Sequence, residues 1–195
     1  VPLACFDTSI ELARPFAHEL PAALELASQW GAPAVRVFGG DGGELDSIAR
    51  RLEPALARAE ELGVTIVLET HDAFASAVRV GELLQRVGSP WLAALWDLHH
   101  PYRVGEAPAD VLRALGQRIY LVHVKDARRR GDGWELVPLG EGDVPVRESL
   151  AALDAAGYDG WLTVEWEKRW HPELAEPEVA LPREVATLRR WVSRF

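Results

Sequence analysis

Four stretches of this chain end in side chains that can bind a cation or move a proton. Val64 to Leu68 is apolar and β-branched and runs into Glu69-Thr70-His71-Asp72. Leu92 to Trp96 runs into Asp97-Leu98-His99-His100, Ile119 to Val122 into His123-Val124-Lys125-Asp126, and Trp161 to Val164 into Glu165-Trp166-Glu167. Short apolar runs of this kind read as buried strands. A carboxylate or imidazole at the buried end of a strand costs several kcal/mol unless it is paired. Four strands with the same design point to one shared partner, and a metal ion is the simplest. Glu69, Asp97, His123 and Glu165 form the expected ligand set. Three carboxylates and one imidazole suit a hard divalent cation, Mn²⁺ first, with Mg²⁺, Co²⁺ or Zn²⁺ as alternatives.

Side chains at i and i+2 of a strand share a face. His71, His99, Lys125 and Glu167 therefore lie beyond the four ligands towards the rim, where a substrate would sit. The bland alternatives are strong for single residues. Asp72 and Asp126 read as helix caps, Glu167 to Arg169 as a solvated charge cluster, and Trp96, Trp161 and Trp166 as packing. Repetition on four strands carries the argument.

Elements that position these ends follow from periodicity and punctuation. An opening strand is expected over Pro2 to Phe6. A helical pattern then runs from Ser9 to Gly31, interrupted near Pro15 or Pro21. Ala34 to Phe38 is a second strand, closed by the turn-forming Gly39-Gly40-Asp41-Gly42-Gly43. Helices are predicted at about 45–62, 76–87, 108–115 and 146–156, alternating with the four functional strands. The Arg- and Gly-rich stretch 127–144 reads as a long loop or a small hairpin, and 181–195 as a closing helix. Strand-helix alternation repeated six times means parallel βαβ units. Chemistry spread over four strand ends favours an α/β (β/α) TIM-barrel type over an open doubly wound sheet, which concentrates its site at one switch point. A full barrel has eight units in roughly 250 residues. The expectation is therefore an incomplete barrel over 1–195, with the first two units missing ahead of Val1. An open edge of this kind predicts a homo-oligomer that covers it.

The 195 residues carry 21 Lys and Arg against 30 Asp and Glu, a net charge of −9. That excludes the basic footprint of a nucleic-acid binder. The one cysteine, Cys5, cannot form an internal disulfide and fits a reducing cytoplasm. No apolar run is long enough to span a membrane.

As an ordered set, the motifs resemble the xylose-isomerase-like TIM-barrel superfamily. They are Leu-Glu-Thr-His at 68–71, Trp-Asp-Leu-His-His-Pro at 96–101, His-Val-Lys-Asp at 123–126, Gly-Glu-Gly-Asp at 140–143 and Gly-Tyr-Asp-Gly-Trp-Leu-Thr-Val-Glu-Trp-Glu at 157–167. Within the superfamily they most resemble the sugar phosphate isomerase/epimerase branch, with its ketose 3-epimerases and inosose dehydratases. The resemblance implies a divalent metal on the same four residues, and substrate contacts from His100 and from Arg128 or Arg129. Strand spacing instead puts His99 on the face of Asp97, so the two readings disagree there.

Together these imply a metal-dependent isomerase or epimerase of a sugar, sugar phosphate or cyclitol, working through an enediolate. Glu69 and Glu165 would act as base and acid. Lys125 would hold a substrate hydroxyl or balance the negative charge, and for a phosphorylated substrate Arg128, Arg129 and Arg130 would be the anchor. An inosose-type dehydratase on the same site is the alternative reaction. A truncated barrel that binds metal or sugar without turnover, or needs a partner to complete it, is the alternative outside catalysis. The abasic-site endonucleases of this fold need more histidines and a basic face.

Overall fold

The computed structural model describes residues 2–193. Six strands form one parallel sheet: β1 (Phe6–Glu11), β2 (Ala34–Phe38), β3 (Thr65–Glu69), β4 (Leu92–Asp97), β5 (Ile119–Val124) and β8 (Trp161–Val164). They lie side by side in chain order, and between β5 and β8 the chain inserts an antiparallel hairpin, β6 (Asp126–Arg130) with β7 (Gly133–Val137). The expected incomplete barrel of six parallel units is what the chain forms.

Helices α1 (Glu19–Trp30), α2 (Leu45–Leu62), α3 (Ala77–Val87), α5 (Pro108–Leu115), α6 (Val146–Ala155) and α7 (Pro177–Val192) alternate with the strands, and α4 (His99–Arg103) is a short turn directly after β4. The amphipathic stripe of α2 explains its docking: Ile48, Leu52, Ala55, Leu56 and Ala59 recur at three- and four-residue steps and are buried. Gly63, at φ 65°, ends α2 in the left-handed conformation that glycine adopts without penalty. No helix among the described residues is long and apolar enough to cross a membrane.

Alternation along each strand separates two cores. Val35 and Val37, Ile66 and Leu68, Ala94 and Trp96, and Val122 and Val124 pack on the helical side. Ala34, Val67, Ala93, Leu95 and Leu121 fill the concave side. The next positions along those concave rows are Arg36, Glu69, Asp97 and His123. The same pleat that builds the inner core therefore aims the polar groups at one volume.

Three boundaries differ from expectation. The first strand is Phe6–Glu11, not Pro2 to Phe6. Its polar residues Asp7 and Ser9 alternate with Phe6, Thr8 and Ile10, so it reads as period two rather than as an apolar run. Phe6 packs edge-on against Trp30 of α1, with ring centroids 5.4 Å apart. Helix α1 consequently starts at Glu19 rather than Ser9, because Pro15 lies in the loop that joins it to β1. The closing helix starts at Pro177, a favoured first-turn residue; its expected last residue, Phe195, lies outside the described residues. The Gly39 loop serves packing: a Cβ on Gly39 would sit 1.9 Å from the Phe74 ring.

Candidate metal centre

Glu69, Asp97, His123 and Glu165 each present a donor atom to a common point, all within 4.8 Å of one another. Neighbouring strands deliver them in register: Glu69 pairs with Leu95, and Asp97 pairs with His123. Glu165 follows β8, and its N–H continues the ladder to the Val124 carbonyl at 3.1 Å. Thr70 extends β3 in the same way, and its hydroxyl accepts the Asp97 N–H at 2.9 Å. Asp97 Oδ1 accepts the N–H groups of His99 (2.8 Å) and His100 (3.2 Å), so this oxygen caps α4 and Oδ2 is left to face the centre.

Charge dominates the site. The Lys125 ammonium is buried among three carboxylates, 2.9 Å from Asp97 Oδ2, 2.8 Å from Glu165 Oε2 and 2.5 Å from Glu167 Oε1. Its contacts to the two glutamates are hydrogen bonds, whereas the one to Asp97 is an ionic contact only. Arg36 donates through Nη1 to Glu69 Oε2 at 3.0 Å. Four carboxylates thus meet two side-chain cations, which leaves two negative charges uncovered. Burial drives Lys125 towards neutrality, but the three carboxylates outweigh it and hold its pKa well above the usual lysine value. Asp97 is fully buried, yet Lys125 keeps its carboxyl well below the ordinary range. Burial raises Glu165 to about 7 despite Lys125. The neighbouring carboxylates, Glu69 foremost, overcome burial at His123 and raise its pKa.

His123 Nδ1 is buried with no hydrogen-bond partner among the described residues, 3.6 Å from Glu165 Oε1 and 3.8 Å from Glu69 Oε1. Orphaned polar atoms of this kind call for an explanation. A cation between them would satisfy the imidazole lone pair and both oxygens, so the residues present fit a divalent metal.

The remaining predicted residues divide. His71, Lys125 and Glu167 line a cavity of about 360 Å³ above Glu69 and Glu165, together with Ser9, Arg36, Phe38 and Trp170. The His71 ring lies 4.4 Å from that of His100. His100 Nε2 is 3.4 Å from Lys125 Nζ and 4.0 Å from Asp97 Oδ1. It therefore joins the site, and the conflict with His99 resolves: the chain turns helical straight after Asp97, so the third residue on returns to it rather than the second. His99 packs instead against Trp134 of the hairpin, ring centroids 5.0 Å apart. Burial lowers the pKa of His99 to about 4 and of His100 to about 2, so both imidazoles are neutral. Arg128 and Arg129 lie on the hairpin and outside the cavity lining. Arg128 bonds the Glu141 carbonyl, and the Arg129 N–H bonds Asp143 Oδ2 at 2.8 Å. Asp126 is no helix cap: it accepts four backbone N–H groups, from Ala127, Gly140, Gly142 and Val144, and so organises the loop after the hairpin.

Arg36 was not expected at the site. Its signal is a charged residue between Ala34 and Phe38 on the concave face of a buried strand, which demands a buried counter-charge.

The xylose isomerase-like TIM barrel family model matches residues 6–191. An inosose dehydratase of Lacticaseibacillus casei is 27% identical over 152 residues, covering 69% of this chain and 50% of that protein. A fructoselysine 3-epimerase of Escherichia coli O157:H7 is 30% identical over 123 residues, covering 60% of this chain and 44% of that protein. The chain spans about half the length of these curated relatives. Among solved structures, the IOLI protein with a bound zinc atom superposes with a TM-score of 0.83 at 19% identity, covering 100% of this chain and 77% of that one. A xylose isomerase domain protein from Planctomyces limnophilus gives a TM-score of 0.76 at 26% identity, covering 95% and 70%. With its six parallel strands in barrel order and a family match over nearly its whole length, the chain belongs to the xylose isomerase-like TIM barrel family.

Proposed function

We propose that this chain carries the metal site of an enzyme that moves a proton at the carbon beside a carbonyl of a sugar or cyclitol, in an isomerisation or epimerisation. The observation that carries the reading is the convergence of Glu69, Asp97, His123 and Glu165, with two negative charges uncovered and one imidazole nitrogen unpartnered. A divalent cation held there would polarise the substrate carbonyl and stabilise the negative charge that develops on its oxygen. The relatives named inosose dehydratase and fructoselysine 3-epimerase support carbon-acid chemistry on polyhydroxy compounds.

The chain's own residues divide the remaining work. Glu165 opens to the cavity beside the proposed cation position, so its carboxylate is placed to accept the proton from carbon and return it. Glu69, on the other wall, is the second proton carrier for a reaction that uses both faces of the carbon. Lys125 reaches from Asp97 to Glu167 and can donate to a substrate hydroxyl. His71 and Trp170 border the mouth of the cavity and orient the ring. The cavity is at the lower end of the ligand-pocket range, about 300–1,000 Å³, which suits a single small polyol. Arg128 and Arg129 stand outside its lining, which favours an unphosphorylated substrate. A dehydratase reading, in which the same deprotonated carbon expels a neighbouring hydroxyl, is favoured by the inosose dehydratase match.

Elemental mass spectrometry of the purified chain, before and after incubation with Mn²⁺, tests the reading beside an Asp97→Asn, Glu165→Gln double variant. About one Mn, Co, Mg or Zn per wild-type chain, lost in the variant, is the expected result. A folded wild-type chain that takes up no metal refutes it.

A further inference from the structure

We propose that Arg36, which is not one of the four donors, is a positioning residue for the cation: it holds Glu69 so that only Oε1 faces the centre. The inference rests on the metal reading above and assigns a role to a side chain that reading leaves idle.

Arg36 lies on the concave side of β2, one strand away from Glu69, and its side chain is 14% exposed. Three features fix the guanidinium. Nη1 donates to Glu69 Oε2 at 3.0 Å. The group lies 4.1 Å from the centroid of the Phe38 ring. Nε is 3.9 Å from Asp7 Oδ1, an ionic contact too long for a hydrogen bond. Among the described residues, Glu69 is thus the one side chain that hydrogen-bonds this largely covered cation.

The two glutamates are built alike. Each turns Oε1 towards His123 Nδ1, at 3.8 Å for Glu69 and 3.6 Å for Glu165, and each has Oε2 held from behind by a cation. The cations differ in kind. Lys125 is a point charge on a flexible stem, shared among three carboxylates. Arg36 is a planar, permanently charged fork stacked on an aromatic ring. Stacking stops the fork from turning, and the hydrogen bond passes that restraint to the carboxylate. Glu69 is therefore the rigid wall of the site. Partners that orient a metal ligand typically contribute 10–100-fold in affinity, and Arg36 has the geometry of such a partner.

Calorimetric Mn²⁺ titration of the full chain tests this with wild type, Arg36→Met, Arg36→Lys, Glu69→Gln and the Arg36→Met, Glu69→Gln pair. The expected loss for Arg36→Met is 10–100-fold, with part of it recovered by Arg36→Lys. On the Glu69→Gln background Arg36→Met should cause no further loss, because Arg36 acts through that carboxylate. Unchanged affinity in Arg36→Met, or an equal loss on both backgrounds, overturns the proposal; the second result would mark a merely structural residue. If Arg36→Met does not fold, Arg36→Lys decides, and a loss under about twofold overturns it. Wild-type chain without Mn²⁺ affinity overturns the metal reading and this role with it, whereas binding insensitive to Arg36 overturns this role alone.

Discussion

Replacing Lys125 by methionine probes the charge balance of the site directly. The side chain is 4% exposed and its ammonium touches three carboxylates. Methionine keeps most of the volume and removes the charge, leaving Asp97, Glu165 and Glu167 facing one another. Removing one partner of a buried ion pair costs about 3–5 kcal/mol. For a chain of this size each kcal/mol moves the thermal midpoint by roughly 2–4 °C, so the metal-free variant should melt roughly 6–20 °C below wild type at pH 8. The deficit should shrink towards pH 6, because Glu165, whose pKa burial raises and Lys125 holds down, can then neutralise itself by taking a proton. Mn²⁺ should restore stability, since a ligand that binds only the folded state at about 100 times its Kd adds roughly 2.7 kcal/mol. The recovery should be at least as large as the gain in wild type, because the ammonium no longer competes for Asp97 Oδ2, the oxygen that faces the centre. Differential scanning fluorimetry at pH 6 and pH 8, with EDTA or Mn²⁺, measures all four cases. A metal-free variant within about 2 °C of wild type at pH 8, or one that gains less from Mn²⁺ than wild type does, would refute the argument.

Two further outcomes follow from groups around the site. His99 and His100 have folded pKa values lowered by burial to about 4 and about 2, below the usual 6.5. Below pH 6.5 the unfolded chain binds protons that the folded chain refuses, so their contribution is complete above that pH and is lost as pH falls, at about 1.4 kcal/mol per unit for each imidazole. His123 and Glu165, with raised pKa values, have the opposite sign: the His123 contribution is complete below 6.5 and that of Glu165 below about 4.5, and each fades as pH rises through the folded value, about 7 for Glu165. Urea midpoints of metal-free chain should therefore change little between pH 7.0 and 5.5 and fall between 5.5 and 4.5, where only Glu165 still opposes the two imidazoles; no fall over that second interval would show that these imidazoles are not buried as neutral groups. Gly142→Ala would place a Cβ 2.1 Å from Asp126 Oδ1 and 2.6 Å from the Ala127 carbonyl. Overpacking of this kind costs about 1–3 kcal/mol, and an unchanged thermal midpoint would mean that the loop around Asp126 is not held as described.

The four donors were legible because each breaks an apolar strand at its buried end. A single strand reports its own period, and the period alone puts Glu69 and His71, or His123 and Lys125, on one face. Less legible was anything that depends on where a strand stops. After Asp97 the chain turns at once into α4, so the three-residue step brings His100 back to the site and the two-residue step turns His99 towards Trp134. The first strand escaped for a related reason. Its concave positions, Asp7 and Ser9, are polar, and the apolar count that marks a strand buried on both faces fails for one whose inner face meets a cavity. Arg36 was hidden because its partner lies 33 residues away on the next strand, a relation that only the sheet's pairing creates.

Parallel pairing also explains why the site has to be charged in this way. Every strand reaches the same end of the sheet, so each added ligand brings another carboxylate into a volume already poor in water. Arg36 and Lys125 cover two of the four negative charges, and protons must help to cover the rest. Burial first, and then the charges of Asp97 and Glu69, raise Glu165, and the surrounding carboxylates raise His123 against its burial. A divalent cation would cover that charge with no proton at all, and would leave His123 Nδ1 with the partner it otherwise lacks. The two readings of this pocket, a polar network short of positive charge and a binding place for a metal, are therefore one electrostatic fact. On the proposed metal reading, the cation would take the place of those protons, and its binding would expel them.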